Sequence, residues 1–239
     1  MKEHKLRGNE FCDFKVMDPL SDMPPIANFE FKTKKDFEPI TGSGIYSIYY
    51  DSMLLYVGEY NGKKNKEGLK DPFSGCVSDR WHKHIALLTG RSRDMFFKKT
   101  NLEKIEGMED CELKDLILKG EPKVMKKARA HNYSFRKFEF SAENWDDFKN
   151  LDVEVLKRFT FFYSKYIPSD FDTPNFIDNE KKARLALSPS IVGAVEKWII
   201  KELQPKCNTK YVKTPSDNSM EESMKVIREQ MKKAIKIYF

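Results

Sequence analysis

The period of the hydrophobic pattern changes several times along this 239-residue chain, and each change predicts an element. From Gly44 to Tyr50 the residues alternate. Ile45, Ser47 and Tyr49 fall on one side of an extended strand, Tyr46, Ile48 and Tyr50 on the other, with aromatic and β-branched side chains throughout. Asp51-Ser52 supplies a tight turn, and Leu54 to Val57, ended by Gly58, form the return strand of an antiparallel hairpin. Val77, Trp81, Ile85 and Leu88 then recur at helical spacing. Tyr133 to Phe140 alternates again and predicts a third strand. Ser188 followed by Pro189 reads as an N-cap and first helical turn, and Pro205 ends that helix. Residues 101–130 look helical, and 219–239, charged with Met and Ile at helical spacing, predict a terminal amphipathic helix. Residues 1–41, broken by Asp18-Pro19 and Pro24-Pro25, read as an irregular arm, and 59–75 as a loop. Phe159, Phe161, Phe162, Tyr163 and Tyr166 are expected in the core.

Three of these pieces carry chemistry. Tyr46 and Tyr56 are placed near one another across the hairpin, where an ordinary aromatic cross-strand pair is the commoner reading of the hairpin alone. Arg80 and His84, four apart, put a guanidinium and an imidazole on one flank of one helix; in isolation such a pair is usually solvated. His82, His84 and Cys76 do not make a zinc site, because helix residues two apart diverge by about 200° and no second Cys/His pair exists in the chain. Glu196 shares a stripe with Val192, Ile199, Ile200 and Leu203. A carboxylate among aliphatics needs a cation or a hydrogen-bond donor, and pairing with Lys or Arg or ligation of a metal would each supply one.

In order and residue type these pieces resemble the GIY-YIG nuclease family. Gly44-Ile45-Tyr46 matches its first motif, Tyr56-Val57-Gly58 its second with one conservative change, Arg80 its helix arginine, Glu196 its metal-binding glutamate, and Asn208 its late asparagine after a proline. His84 is similar to the arrangement in the restriction-endonuclease branch. The matched segments, 42–90 and 188–208, are less than a third of the chain, and Glu59 stands where family members often carry Lys or Ser.

The resemblance implies an α+β fold, a small three-stranded antiparallel sheet flanked by helices, with helical insertions and terminal extensions. On it, 1–239 is a single nuclease domain: an N-terminal arm at 1–41, a catalytic core at 42–90, 131–140 and 188–210, insertions at 91–130 and 141–187, and a C-terminal extension at 211–239. It also implies metal-dependent hydrolysis of DNA. Glu196 would hold Mg²⁺, with Mn²⁺ as a substitute. Arg80 would grip a nonbridging phosphate oxygen, and Tyr46 would deprotonate the attacking water, helped by a cationic environment or by proton relay to His84. Tyr56 would bond the water or phosphate, and Asn208 would buttress the site. A covalent phosphotyrosine route is the minor alternative. The expected substrate is double-stranded DNA and the expected role restriction. A homing, repair, phage-encoded or single-strand-specific nuclease is the second reading, and a nucleic-acid-binding protein without cleavage is the reading from another class. One such site cuts one strand, so a double-strand break needs a homodimer, two binding events or sequential nicks.

Composition fits an anionic partner. The net charge is +6, and basic runs around Lys63, Lys64, Lys66 and Lys70, Lys83, Arg91 and Arg93, and later Lys119 to Lys137, suit a phosphate backbone as well as ordinary solvated faces. No apolar segment is long enough to span a membrane and the charged start lacks the apolar core of a secretory signal, so a cytoplasmic protein is expected. Cys12, Cys76, Cys111 and Cys207 are widely spaced, and reduced thiols are expected.

Overall fold

The structure, a computed structural model, describes residues 2–17, 29–64, 70–71, 75–91, 96–97, 125–126, 135–166 and 178–238. In chain order the elements are β1 (Glu3–Arg7), α1 (Gly8–Phe11), β2 (Cys12–Val16), β3 (Phe29–Thr33), β4 (Gly44–Tyr50), β5 (Met53–Tyr60), β6 (Lys63–Lys64), β7 (Lys70–Asp71) and α2 (Ser78–Leu88), then β8 (Phe96–Phe97), β9 (Met125–Lys126), α3 (Phe135–Glu143), α4 (Trp145–Phe148), α5 (Val153–Arg158), β10 (Phe159–Lys165), α6 (Asp178–Leu203) and α7 (Met220–Tyr238). The protein is α+β, and its chain divides into two compact units: residues 1–7, 38–78 and 158–239, and residues 8–37 and 79–157.

The first unit is a four-stranded antiparallel sheet in the order β1-β10-β4-β5. Asp51 and Ser52, both at positive φ (46° and 67°), make the β4–β5 turn of the primed type whose twist matches the strands. A bulge follows, so that Ile48 faces Tyr56 while Tyr49 faces Leu54. All of β4 is buried, on both faces. One face, with Ile45, Tyr49, Leu54, Val57 and Phe162, packs against Val192, Ile199, Ile200 and Leu203 of α6 and Ile227 and Met231 of α7. Helix α7 starts with a capping box. Glu222 N donates to Ser219 Oγ (3.3 Å), and Glu222 Oε2 accepts from Ser219 N (3.3 Å) and Oγ (2.8 Å).

In the second unit, β2 and β3 form a hairpin and α2 buries Trp81, Ile85 and Leu88. The helix ends in a Schellman motif: Gly90 sits at φ 66°, Arg91 N donates to Ala86 O (2.8 Å) and Gly90 N to Leu87 O (3.3 Å). Arg91 is 5% exposed, its Nη2 donating to Phe148 O (2.9 Å) and Lys149 O (2.6 Å) and its guanidinium lying 4.8 Å from the Phe29 and Trp145 rings. Expected in a basic run facing phosphate, it instead caps α4.

Three further expectations are corrected. The sheet has four strands, and the strand paired to β4 is β10, not 133–140. Residues 135–143 are helix α3, in which Phe140 and Ser141 follow the buried Lys137 at three and four residues and Ala142 is buried beside them. A short run with an aromatic at every second or third place fits both periods, and packing chose the helical one. The 1–41 arm contains β1, which forms the sheet's far edge against β10, and the β2–β3 hairpin. Helix α6 begins ten residues before Ser188, with Pro189 inside it, because the helix formers of Lys-Lys-Ala-Arg-Leu-Ala-Leu precede the proline. The helix expected at 101–130 lies outside the described residues apart from β9. The five core aromatics from Phe159 to Tyr166 are buried. None of Cys12, Cys76 and Cys207 is in a disulfide. Among the described residues no helix is long and apolar enough to cross a membrane.

Candidate active site

Within the first unit, β4 and β5 place the two phenols on the sheet face opposite α6. Tyr46 pairs with Gly58 and Ile48 with Tyr56, so the tyrosines meet diagonally, their rings stacked with centroids 6.1 Å apart. Tyr46 is 2% exposed. The glycines of both motifs are explained by close approach. A Cβ on Gly58 would lie 2.5 Å from Tyr46 Cζ and 2.6 Å from its hydroxyl, and one on Gly44 would lie 2.3 Å from Ser164 O. Gly58→Ala is therefore expected to drive the Tyr46 ring from its place, costing roughly 2 kcal/mol. Urea denaturation reads the loss, and the near-ultraviolet tyrosine dichroism reads the displacement.

Strand β5 is the sheet's other edge, and residues far away in sequence satisfy its outward polar groups. Leu55 O accepts from Cys207 N (2.7 Å). Val57 N donates to Asn208 Oδ1 (2.9 Å) while Asn208 Nδ2 donates to Val57 O (2.8 Å), so one amide replaces a missing neighbour strand. Glu59 N donates to Glu196 Oε1 (3.1 Å). Three outward-facing residues of the tyrosine strand are thus bonded by the segment 196–208 of α6 and its following loop. The Glu59 side chain runs back along α6: a Cβ on Gly193, one turn before Glu196, would lie 3.1 Å from Glu59 Oε2.

Burial and the neighbouring Glu59 charge push the Glu196 carboxyl up from 4.5 to about 7, against the pull of the Glu59 backbone donor and Lys210. A carboxylate raised by desolvation and by a like charge is one that a cation would relieve. Among the described residues no group of three or more His, Cys, Asp or Glu is placed to hold a metal. Glu196 and Glu59 are two carboxylates whose charges act on each other, and Mg²⁺ commonly keeps several waters and takes one or two protein carboxylates with substrate phosphate.

Arg80 and His84 stand on α2, in the second unit. Arg80 is half-buried, and His84 is fully buried. His84 Nδ1 lies 2.9 Å from Nζ of Lys137, itself 1% exposed. Burial, then the Lys137 and Arg80 charges, hold the imidazole well below its usual range, so it is neutral at pH 7. As an ammonium Lys137 would donate to Nδ1, which would put the ring proton on Nε2. Lys137 had no sequence signal, since it read as one more basic residue in a run. The part played by Glu59 was half visible, as an anion directly after Tyr56-Val57-Gly58.

The structure brings together Tyr46 with Tyr56, and Glu196 and Asn208 with the backbone of the Tyr56 strand; it places Arg80 beside His84 on α2. The chain matches no protein-family model, no curated protein and no solved structure.

Proposed function

We propose that the chain is a metal-dependent DNA endonuclease of the GIY-YIG type, cleaving phosphodiester bonds at the edge of β5, with double-stranded DNA as substrate and restriction as its role. One observation carries the reading. Glu196 and Asn208, singled out by type and order about 140 residues after the hairpin, bond to Glu59 and Val57 on the strand that presents Tyr56. The glycines of both hairpin motifs also have no room for a side chain.

On this reading the β5 edge is where the substrate phosphate lies, reaching the phenols on one face and the Glu196–Glu59 pair at the rim. Glu196, with Glu59 beside it, would hold a divalent cation, Mg²⁺ or Mn²⁺, which would supply charge stabilisation for the phosphoryl oxygens and the departing alkoxide. Tyr46, as the phenolate, orients the attacking water and takes its proton; Tyr56, stacked on it, holds the water or the phosphate. Arg80 is the guanidinium we assign to a nonbridging oxygen, where charge develops in the transition state. His84 is buried on the same helix flank as Arg80, with Nδ1 against Lys137 Nζ. Asn208 holds the strand in place.

The wild-type protein, incubated with circular duplex DNA in Mg²⁺, is expected to nick or linearise it and to leave it intact in EDTA. Tyr46→Phe is expected to slow the reaction by about 100-fold, the usual scale for losing a positioned general base. Full activity in Tyr46→Phe would move the base elsewhere. Binding of DNA without cleavage under any metal condition would favour the non-catalytic reading.

A further inference from the structure

We propose that the exposed flank of α6 and the loop after it, centred on Tyr211, Trp198 and Lys197, is the surface on which a DNA strand docks beside Glu196, with Tyr211 as a stacking face. The proposal rests on the nuclease reading and adds where the substrate is held.

Four observations carry it. The first is exposure. Trp198 (42% exposed) and Tyr211 (45%) are the exposed large hydrophobic side chains of their unit among the described residues. The second is conformation. Tyr211 sits at φ 66°, a backbone region that bulky residues rarely occupy and that persists only when its surroundings hold it. They do so here through Gln204, itself at φ 46°. Gln204 Nε2 donates to Lys201 O (2.6 Å) and to Tyr211 O (3.3 Å), and Oε1 accepts from Lys213 N (2.6 Å). The loop is anchored further back by Cys207 and Asn208 on β5. A strained aromatic fixed at the surface by a clamp, rather than drawn into the core, is suited to contact something outside.

The third is charge. Residues 197–213 contain five lysines against one glutamate, and so hold four of the six net positive charges of the whole chain. Lys197, Lys201, Lys210 and Lys213 are exposed, and Lys197 Nζ lies 5.2 Å from the centroid of the Tyr211 ring. Lysines interleaved with aromatic faces are the composition of a strand-binding groove, where phosphates meet cations and bases stack. The fourth is position. Lys197 and Trp198 directly follow Glu196, and the charge of Lys210 acts on the Glu196 carboxyl. A strand on this surface therefore delivers a phosphate next to the carboxylate that the reaction uses.

The test is a fluorescence titration in EDTA, so that no substrate is cut, with a short duplex and the single strand of the same length. Trp81 and Trp145 are buried, so quenching on binding reports Trp198. DNA is expected to quench the emission, and Trp198→Phe to abolish the signal. Tyr211→Ala is expected to weaken binding about 10-fold and Tyr211→Phe to restore it. Lys197→Ala and Lys213→Ala are each expected to lower the slope of log affinity against log salt by about one. Tyr211→Gly separates binding from folding. With its backbone strain relieved it is expected to melt no lower than wild type, yet to bind as weakly as Tyr211→Ala. Binding with unchanged affinity and salt slope in all these variants would overturn the proposal and leave the nuclease reading standing. Trp198 responding to anionic phospholipid vesicles but not to DNA, or shielded by self-association of the free protein, would overturn it as well. Failure of the wild type to bind any DNA would end both, whereas binding through this surface without cleavage in Mg²⁺ would end only the nuclease reading.

Discussion

Asn208→Ala is expected to destabilise the protein by roughly 4 kcal/mol, because it strands two buried backbone groups at once. Asn208 is 4% exposed, and its amide both accepts from Val57 N and donates to Val57 O. Each buried polar group left without a partner costs about 1–3 kcal/mol, more than the net gain from an ordinary hydrogen bond. Asn208→Asp separates the two halves. A carboxylate accepts from Val57 N but repels Val57 O, so it should not rescue the alanine variant. Urea denaturation measures both, and a shift in midpoint at constant slope marks a change in stability alone. A loss below about 1 kcal/mol in Asn208→Ala would mean that water satisfies Val57 at the strand edge, and Asn208 would lose its role as the fastening of β5.

Glu196→Gln is expected to stabilise the protein at alkaline pH. The Glu196 carboxyl is raised in the fold from 4.5 to about 7, so its protonated form is the one the fold favours. Below pH 4.5 it costs nothing. As pH rises from 4.5 to about 7 stability is lost, and above that the ionised group costs on the order of 3 kcal/mol, at about 1.4 kcal/mol per pH unit. Glutamine keeps an oxygen for Glu59 N and cannot ionise. The difference in melting temperature between Glu196→Gln and wild type should therefore be near zero at pH 4, grow through pH 5–7 and level off by pH 8. Millimolar Mg²⁺ at pH 8 should return stability to the wild type and leave the glutamine variant unmoved, since only the wild type offers an anionic pair to bind. A difference that does not vary with pH would remove the desolvated carboxylate.

The hairpin was legible because its signal is local: strict alternation, a two-residue turn and glycines at both ends of the pattern. That Gly58 is required by the Tyr46 ring, and not by its own backbone angle, needed the register of β4 against β5. The α2 stripe follows from spacing in the same way, whereas its Gly90 stop emerged only from the backbone geometry. The third strand was misplaced because Tyr133 to Phe140 and Phe159 to Lys165 are both aromatic-rich. Only the second is buried on both faces of a sheet, which periodicity does not encode. The basic residues divided for a similar reason. Arg91 and Lys137 carry charge in the sequence like their neighbours, yet the fold uses one to cap a helix and the other to fix a histidine. Glu196 was visible as an acid among aliphatics. Its bond to the backbone beyond Tyr56-Val57-Gly58, and the like charge of Glu59 that raises its pKa, depend on contacts 137 residues apart.

The most direct measurement is the conversion of supercoiled plasmid to nicked or linear DNA by wild type and by Glu196→Ala, in Mg²⁺ and with binding followed in parallel. Wild type is expected to cut only with the metal, and Glu196→Ala to bind the plasmid comparably while its cutting falls below detection. Equal cutting by the two proteins would contradict the assignment of Glu196 as the carboxylate on which cleavage depends.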